Sequence, residues 1–294
     1  MKRFDDEGRW RWIALSPALA LMLALGLLPL LNLLALSFVD VSWANGAASW
    51  KFVGFGHYRE LPGDPLFRAG LLNTVLFALL AVTGQMLLAL LLAVLCGRII
   101  RGRVLYRTVF ILPILIPGIV IGAIWKLILN YDFGLVTQLL ALIGLAPIDW
   151  LGDPVTAFLS IVLVDIWHWT PFCFLLLLAG LESLPQDVFE AATVDGVGPW
   201  QEFAHVTLPM LWPTIVVTFG FRLLLAFKVF DEVYLLTGGG PGTATEVASF
   251  TIYQRFFTED RVGLGSAVSV AFIVIVAMLL IAAVATRRRA EAAR

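Results

Sequence analysis

Apolar positions in this chain occur in long blocks rather than in the alternating or 3.6-residue stripes of a soluble domain. Runs of about 20 or more mainly apolar residues recur between polar stretches, and each is long enough to cross a hydrocarbon core of roughly 30 Å. The pattern predicts spans over 13–38, 71–95, 108–129, 155–181, 208–236 and 265–286. The first has an apolar core too long for a signal-peptide h-region and no small-residue cleavage site after it, so it reads as an anchor helix. Pro113, Pro117 and Gly118 predict a kink in the third span, because proline removes a backbone donor. The stretch 135–145 is apolar but too short to span and reads as an interfacial or re-entrant helix on the outer face. The segment 39–70 reads as a small outer lid. The expected fold class is thus an all-α membrane protein of about six transmembrane helices. Its parts are an N-terminal anchor with its outer loop over 1–70 and a core of about five helices over 71–294.

Composition sharpens this. Of 294 residues, 60% are hydrophobic, more than a soluble domain can hide. The net charge of −1 gives no global attraction to nucleic acid. Cys96 and Cys173 both lie in apolar runs and read as small buried hydrophobes. The basic residues set the orientation. Lys2, Arg3, Arg9 and Arg11, then Arg98, Arg101, Arg103 and Arg107, then Arg287, Arg288, Arg289 and Arg294 account for twelve of the 20. With six spans these three segments share one side, the cytoplasm, which places both termini inside.

One cytoplasmic loop departs from this rule. Between Glu182 and His205 there is no Lys or Arg, but there are five acids: Glu182, Asp187, Glu190, Asp195 and Glu202. Ser183 with Gln186 and Pro185 predicts a helix start. Gly196 predicts its end, and Gly198-Pro199 a second helix that stops near Pro209. The loop reads either as an amphipathic helix lying on the lipid surface or as a docking knob for a protein with a basic cleft, and the second is favoured because an anionic leaflet repels an acidic segment. Ala191 and Ala192 permit close approach.

Glu190-Ala191-Ala192, three residues, Gly196, nine residues and Val206-Thr207-Leu208-Pro209 resemble the EAA loop of bacterial ABC importer permeases, with valine where that pattern usually has isoleucine. The likeness extends to Phe52-Val53-Gly54-Phe55-Gly56-His57-Tyr58, Leu72-Asn73-Thr74, Trp167-His168-Trp169-Thr170-Pro171-Phe172 and the stretch from Phe230 to Gly242. Together these are similar to the carbohydrate-uptake, MalF-like class. The resemblance implies a MetI-like permease fold with a cytoplasmic coupling helix within 182–209. Glu190, Ala191, Ala192, Asp195, Gly196, Leu208 and Pro209 would then transmit closure of an ATPase. It also implies a MalG-like second permease, two copies of a cytoplasmic ABC ATPase that bind ATP and Mg, an external solute-binding protein, and a sugar or sugar alcohol such as trehalose or maltose as cargo. The solute positions it implies are Asp165, His168, Trp169, Phe172, Arg222 and Ala226, and the Gly238–Gly242 run would be a gate or a binding-protein contact.

Read from the residues themselves, Asp165 and Arg222 either bind solute hydroxyls or neutralise each other. Lys228, Asp231 and Glu232 lie nearer the outer end of the fifth span. Intramembrane polar groups are expensive and mark function. The chain carries no G-x-x-x-x-G-K-[ST], H-E-x-x-H or G-x-S-x-G, so no catalytic constellation is expected and energy must come from a partner. An ion-coupled secondary transporter, with Asp165 as an ion site, is the alternative.

Overall fold

A computed structural model describes residues 2–44, 47–97 and 103–292. Arg98, Arg101 and Arg294 of the orientation argument lie outside these residues. Among the described residues, five helices are long and apolar enough to cross a membrane, or six if one bent pair counts as a span. The chain therefore forms a multi-pass helical membrane protein. It divides into two compact units, one formed by the residues up to Arg68 together with those from Thr251 onward, the other running from Ala69 to Phe250.

In the first unit, α1 (Lys2–Leu36) is followed by a two-stranded antiparallel hairpin, β1 (Val39–Ala44) and β2 (Ala47–Phe52). A short α2 (Gly56–Glu60) leads towards α3 (Pro65–Gly97). The unit closes with the end of α12 (Ala248–Tyr253), a π-helical turn (Gln254–Thr258) and α13 (Val262–Ala292). The outer lid expected at 39–70 is therefore a hairpin plus a short helix. Leu61, Leu264 and Val268 form its core, with Tyr58 and Phe67 packed against them. Arg255 is buried and bonded by Asp64 at 2.5 Å and by Glu259. Burial alone would lower its pKa, but the hydrogen bonds and charges of Glu259 and Asp64 hold it above the ordinary value. Gly263 has no room for a side chain: a Cβ there would lie 2.6 Å from His57 Nε2 and closer still to the Val39 carbonyl oxygen.

The second unit is built around α7 (Pro154–Glu182). Asp153 caps it, accepting from the N–H groups of Val155 at 3.0 Å and Thr156 at 3.2 Å, and Pro154 occupies the first turn, where no N–H is needed. Against it pack α4 (Arg103–Ile111) and α10 (Leu208–Ala226), while α3 and α5 (Gly118–Ile128) reach it through the side chains of Gln85 and Trp125, with α6 (Leu135–Leu142) beyond α5. On α3, Ala78, Ala81, Ala89 and Ala93 are fully buried. Such a small-residue face lets backbones approach closely without large side chains between them.

Two expectations are corrected here. The third span is not one kinked helix. A 3₁₀ turn (Leu112–Leu115) ends α4, and the pair Leu105–Leu115 and Gly118–Ile128 is bent by 94°. Ile116, held extended by the proline after it, and the missing N–H of Pro117 prevent the helix from running through. The fifth span does not reach Leu236. It ends at Ala226, and a separate α11 (Asp231–Leu236) packs back on α5 and α7. The α5–α11 contact depends on Gly118 and Gly122. A Cβ at Gly118 would lie 2.6 Å from Asp231 Oδ2, and one at Gly122 would lie 2.8 Å from Leu235 Cβ.

Gly122→Leu should therefore destabilise the protein by about 1–3 kcal/mol, the usual cost of overpacking. Gly97→Ala, where a Cβ meets nothing within 4 Å, should leave stability unchanged. Thermal unfolding of the two variants in the same nanodiscs checks this.

Candidate functional site

Asp165 and Arg222 sit on facing helices, α7 and α10, and are 2% and 1% exposed. Arg222 Nη2 donates to Asp165 Oδ2. A third residue completes the arrangement. Gln85 of α3 is fully buried, and its Nε2 donates to Asp165 Oδ2 at 2.7 Å and to the Asp165 carbonyl at 3.0 Å. The guanidinium also lies over the Trp169 ring, its Cζ 4.9 Å from the centroid, within cation–π range. A lone charge in this setting would cost several kcal/mol, about the penalty offset by an opposite charge with good hydrogen bonds. The structure thus pairs Asp165 with Arg222, one of the two roles the sequence left open.

One turn further along α7, His168 Nδ1 lies 3.2 Å from Glu232 Oε1 on α11, and both side chains are buried. Sequence reasoning assigned Glu232 to the outer end of an unbroken span. The break after Ala226 is what brings it back to His168. Trp169 stands between the pairs, 5.1 Å from the His168 ring and edge-on to Phe172 at 6.2 Å.

These groups face a cavity of about 190 Å³, lined by Asp165, His168, Trp169, Arg222 and the segment from Lys228 to Glu232, with Gly118 opposite. Of the six solute positions implied by the resemblance, four line it. Phe172 only supports Trp169 from behind, and Ala226 is fully buried in packing. Lys228, Asp231 and Glu232 also reach the cavity. Gln85 had a readable signal: it is the one amide side chain in the otherwise mainly apolar stretch 75–96 of α3, in register with the small residues Ala81 and Ala89.

Next to the cavity the loop 237–247 is tied to α3. Asn73 Nδ2 donates to the carbonyls of Thr243 at 3.0 Å and Ala244 at 3.1 Å, and Thr74 Oγ1 accepts the Ala248 N–H at 2.9 Å. This gives the Asn73-Thr74 pair a structural task. It holds the glycine-rich loop against the membrane helix.

The acidic segment folds into α8 (Gln186–Val194). The expected cap is corrected: the residue before α8 is Pro185, and Ser183 Oγ turns back to the Gly180 carbonyl at 2.7 Å, closing α7 instead. At its other end the Gly196 N–H bonds the Thr193 carbonyl at 3.1 Å and the Val197 N–H bonds that of Ala192 at 3.0 Å. This Schellman arrangement requires a left-handed residue after the helix, and Gly196 has φ of +74°. Glu190, Ala191 and Asp195 are exposed while Ala192 faces inward. The second helix does not stop at Pro209. From α9 (Pro199–Glu202) the chain continues through a π turn (Phe203–Thr207) into α10 as one span, Pro199–Ala226. The widened turn accommodates a residue that cannot donate to the preceding turn. Leu208 is half-buried and Pro209 exposed. Below α8 a cavity of about 470 Å³ is lined by Glu182, Gln186, Phe189, Glu202 and Phe203, with Arg107 bonded to Glu182.

Removing either charge alone, as in Asp165→Asn or Arg222→Met, should cost about 3–5 kcal/mol. The double variant should be less unstable than the sum by about 0.5–3 kcal/mol. Gln85→Leu should cost about 1–3 kcal/mol in the same melts, the penalty for an acceptor losing its donor.

The sequence profile of the family described as "Binding-protein-dependent transport system inner membrane component" matches residues 85–290. The trehalose/maltose transport system permease protein MalF of Thermococcus litoralis is 35% identical over 271 residues, covering 92% of this chain and 90% of the relative. The sulfoquinovosyl glycerol transport system permease protein SmoG of Agrobacterium fabrum is 35% identical over 283 residues, covering 92% of each. In a crystal structure of a bacterial alginate ABC transporter, bound to an alginate-loaded periplasmic protein, one chain superposes with a TM-score of 0.84 at 25% identity, covering 97% of this chain and 96% of that one. The chain belongs to the binding-protein-dependent transport system inner membrane component family, as a non-enzymatic permease subunit of the MalF-like, carbohydrate-uptake class of ABC importers.

Proposed function

We propose that this permease carries a neutral sugar or sugar alcohol, such as a disaccharide of the trehalose or maltose kind, past the Asp165–Arg222 and His168–Glu232 pairs. The relatives do not choose the solute, since their names cover trehalose and maltose, sulfoquinovosyl glycerol and the acidic polysaccharide alginate. The cavity's own charge supports the choice. Facing it are three carboxylates (Asp165, Asp231 and Glu232) against two permanent cations, Arg222 and Lys228, and Arg222 is already paired with Asp165. A phosphate or carboxylate ligand calls for unspent cations. Sugar hydroxyls suit paired, partly satisfied charges beside an indole face such as Trp169. A cavity of about 190 Å³ is also below the usual range for a whole ligand site, about 300–1,000 Å³. It fits one wall of a path completed by a second, MalG-like permease.

Energy enters through α8. Asp187, Glu190 and Val194 recur at helical spacing on its exposed side, and Val194 is 87% exposed, with Trp200 nearby in sequence at 76%. Acids beside uncovered apolar side chains form a surface suited to a partner with arginines at the rim of an apolar pocket. In this reading two copies of a cytoplasmic ABC ATPase bind ATP and Mg, and one receives α8. Both termini are cytoplasmic, the loop 237–247 is external, and a solute-binding protein delivers the sugar from outside.

The assembled transporter tests this directly. Glu190→Ala, and Gly196→Leu through loss of its left-handed turn, should lower sugar-stimulated ATP hydrolysis several-fold while the binding protein's affinity for sugar is unchanged. Normal coupled hydrolysis in both variants would remove α8 as the transmitting element. Trp169→Ala should slow uptake of neutral disaccharide yet leave basal ATP hydrolysis intact. Uptake preferring an anionic sugar in the unaltered transporter would contradict the charge argument.

A further inference from the structure

The hairpin after α1 is amphipathic by register. Val39 pairs with Phe52 and Val41 with Trp50, so these four share one face, while Asp40 opposite Lys51 and Ser42 opposite Ser49 share the other. The polar face is self-satisfied, with the Ser42 and Ser49 hydroxyls 2.6 Å apart. The apolar face is only half covered. Val41 is buried, at 7% exposure, but Trp50 is 64% and Phe52 77% exposed, and Phe55 just beyond them is 65% exposed. Phe55 stacks edge-on against Phe38 at 5.3 Å, which fixes this aromatic patch to the end of α1.

The position of α1 says what covers the patch. Its apolar stretch runs over Trp10–Leu36, 27 residues. At 1.5 Å per residue that is about 40 Å, the hydrocarbon core plus part of one interface. Trp10 and Trp12 are exposed at the near end, where indoles favour the headgroup level. A core of roughly 30 Å takes about 20 residues from there, which brings the far boundary close to Asn32. Leu33 to Leu36 then lie in the opposite interface. The hairpin begins at Val39, within about 10 Å of chain from Leu36.

We propose that the Trp50 and Phe52 face of the hairpin, with the exposed Phe55 that follows it, docks on the bilayer surface at the C-terminal end of α1, with the Ser42, Ser49 and Lys51 face towards water. The occupant is the lipid interface rather than a protein. The uncovered face is aromatic with no charge on it, and it starts where the span leaves the hydrocarbon. Docking there makes the hairpin a stop that fixes how far α1 can slide through the membrane. The proposal holds on whichever side of the membrane that end lies; the topology proposed above makes it the outer leaflet.

The test uses the complete transporter in nanodiscs, labelled with an environment-sensitive nitrobenzoxadiazole dye at Phe52→Cys or at Ser49→Cys. Cys96 and Cys173 are buried and serve as the unlabelled background. The dye at 52 should be quenched by nitroxide lipids bearing the spin label near the headgroup, and be several-fold less accessible to aqueous iodide than the dye at 49. Equal iodide quenching at both positions, with no lipid quenching, overturns the proposal. So does equal lipid quenching at both, which would mean that the hairpin is not oriented by its register. Shielding of position 52 that arises only on adding a solute-binding protein would assign the face to that protein and also overturn it. An impermeant maleimide applied to either side of sealed vesicles, with Ser49→Cys, reports the topology separately.

Discussion

An arginine and an aspartate facing each other inside the membrane constrain much of the second unit. Neither charge can be left alone there, so α7 and α10 must stay in register to keep Arg222 on Asp165. Gln85 extends the requirement to α3, because its amide serves both the carboxylate and the backbone carbonyl of Asp165. Three helices are thus held by one polar point, and the small-residue face of α3 lets them approach it. A purely apolar contact would tolerate sliding by a turn; this one does not.

The irregular parts of the chain follow from the same economy. Backbone groups freed by a break in a membrane helix need partners in protein or in a cavity. At Pro117 the break lets α5 turn away, and Gly118 and Gly122 give α11 a notch to fill. The break after Ala226 turns α11 back, so that Glu232 meets His168 across the cavity. The loop beyond it is pinned by Asn73 and Thr74. The polar cavity is therefore a product of two interrupted helices, the architecture expected where a solute must be handled at membrane depth.

Much of this was legible in the residues, and the failures have physical causes. Span positions follow from block hydrophobicity, which needs no tertiary information. The Gly196 turn was legible because only a residue free to take φ of +74° ends a helix that way. The expectation of a plain outer lid over 39–70 passed over a signal the sequence does carry: Val39, Val41 and Trp43 alternate with polar residues, and Asn45-Gly46 is the residue pair that favours a two-residue hairpin turn. The pairing of His168 with Glu232 was not legible, since the largely apolar stretch 208–236 reads as one helix despite Asp231 and Glu232 unless the contact of α11 with α5 is known. Pro209 misled in the other direction. It reads as a stop, but the π turn before it removes the clash and the helix continues. The four-residue block at Ser183 to Gln186 matched a capping pattern, yet Ser183 had a nearer acceptor on α7.

In the function proposed above, this chain has no energy source of its own and is driven through α8 by ATP hydrolysis in a partner subunit. Uptake of radiolabelled disaccharide into proteoliposomes, holding the full transporter with its binding protein, measures this with the least intermediate inference. Uptake that requires ATP inside the cytoplasm-facing compartment, requires the binding protein, and survives a protonophore and removal of sodium is the predicted result. Uptake that proceeds without ATP and collapses with the ion gradient would contradict the account and return Asp165 to the role of an ion site.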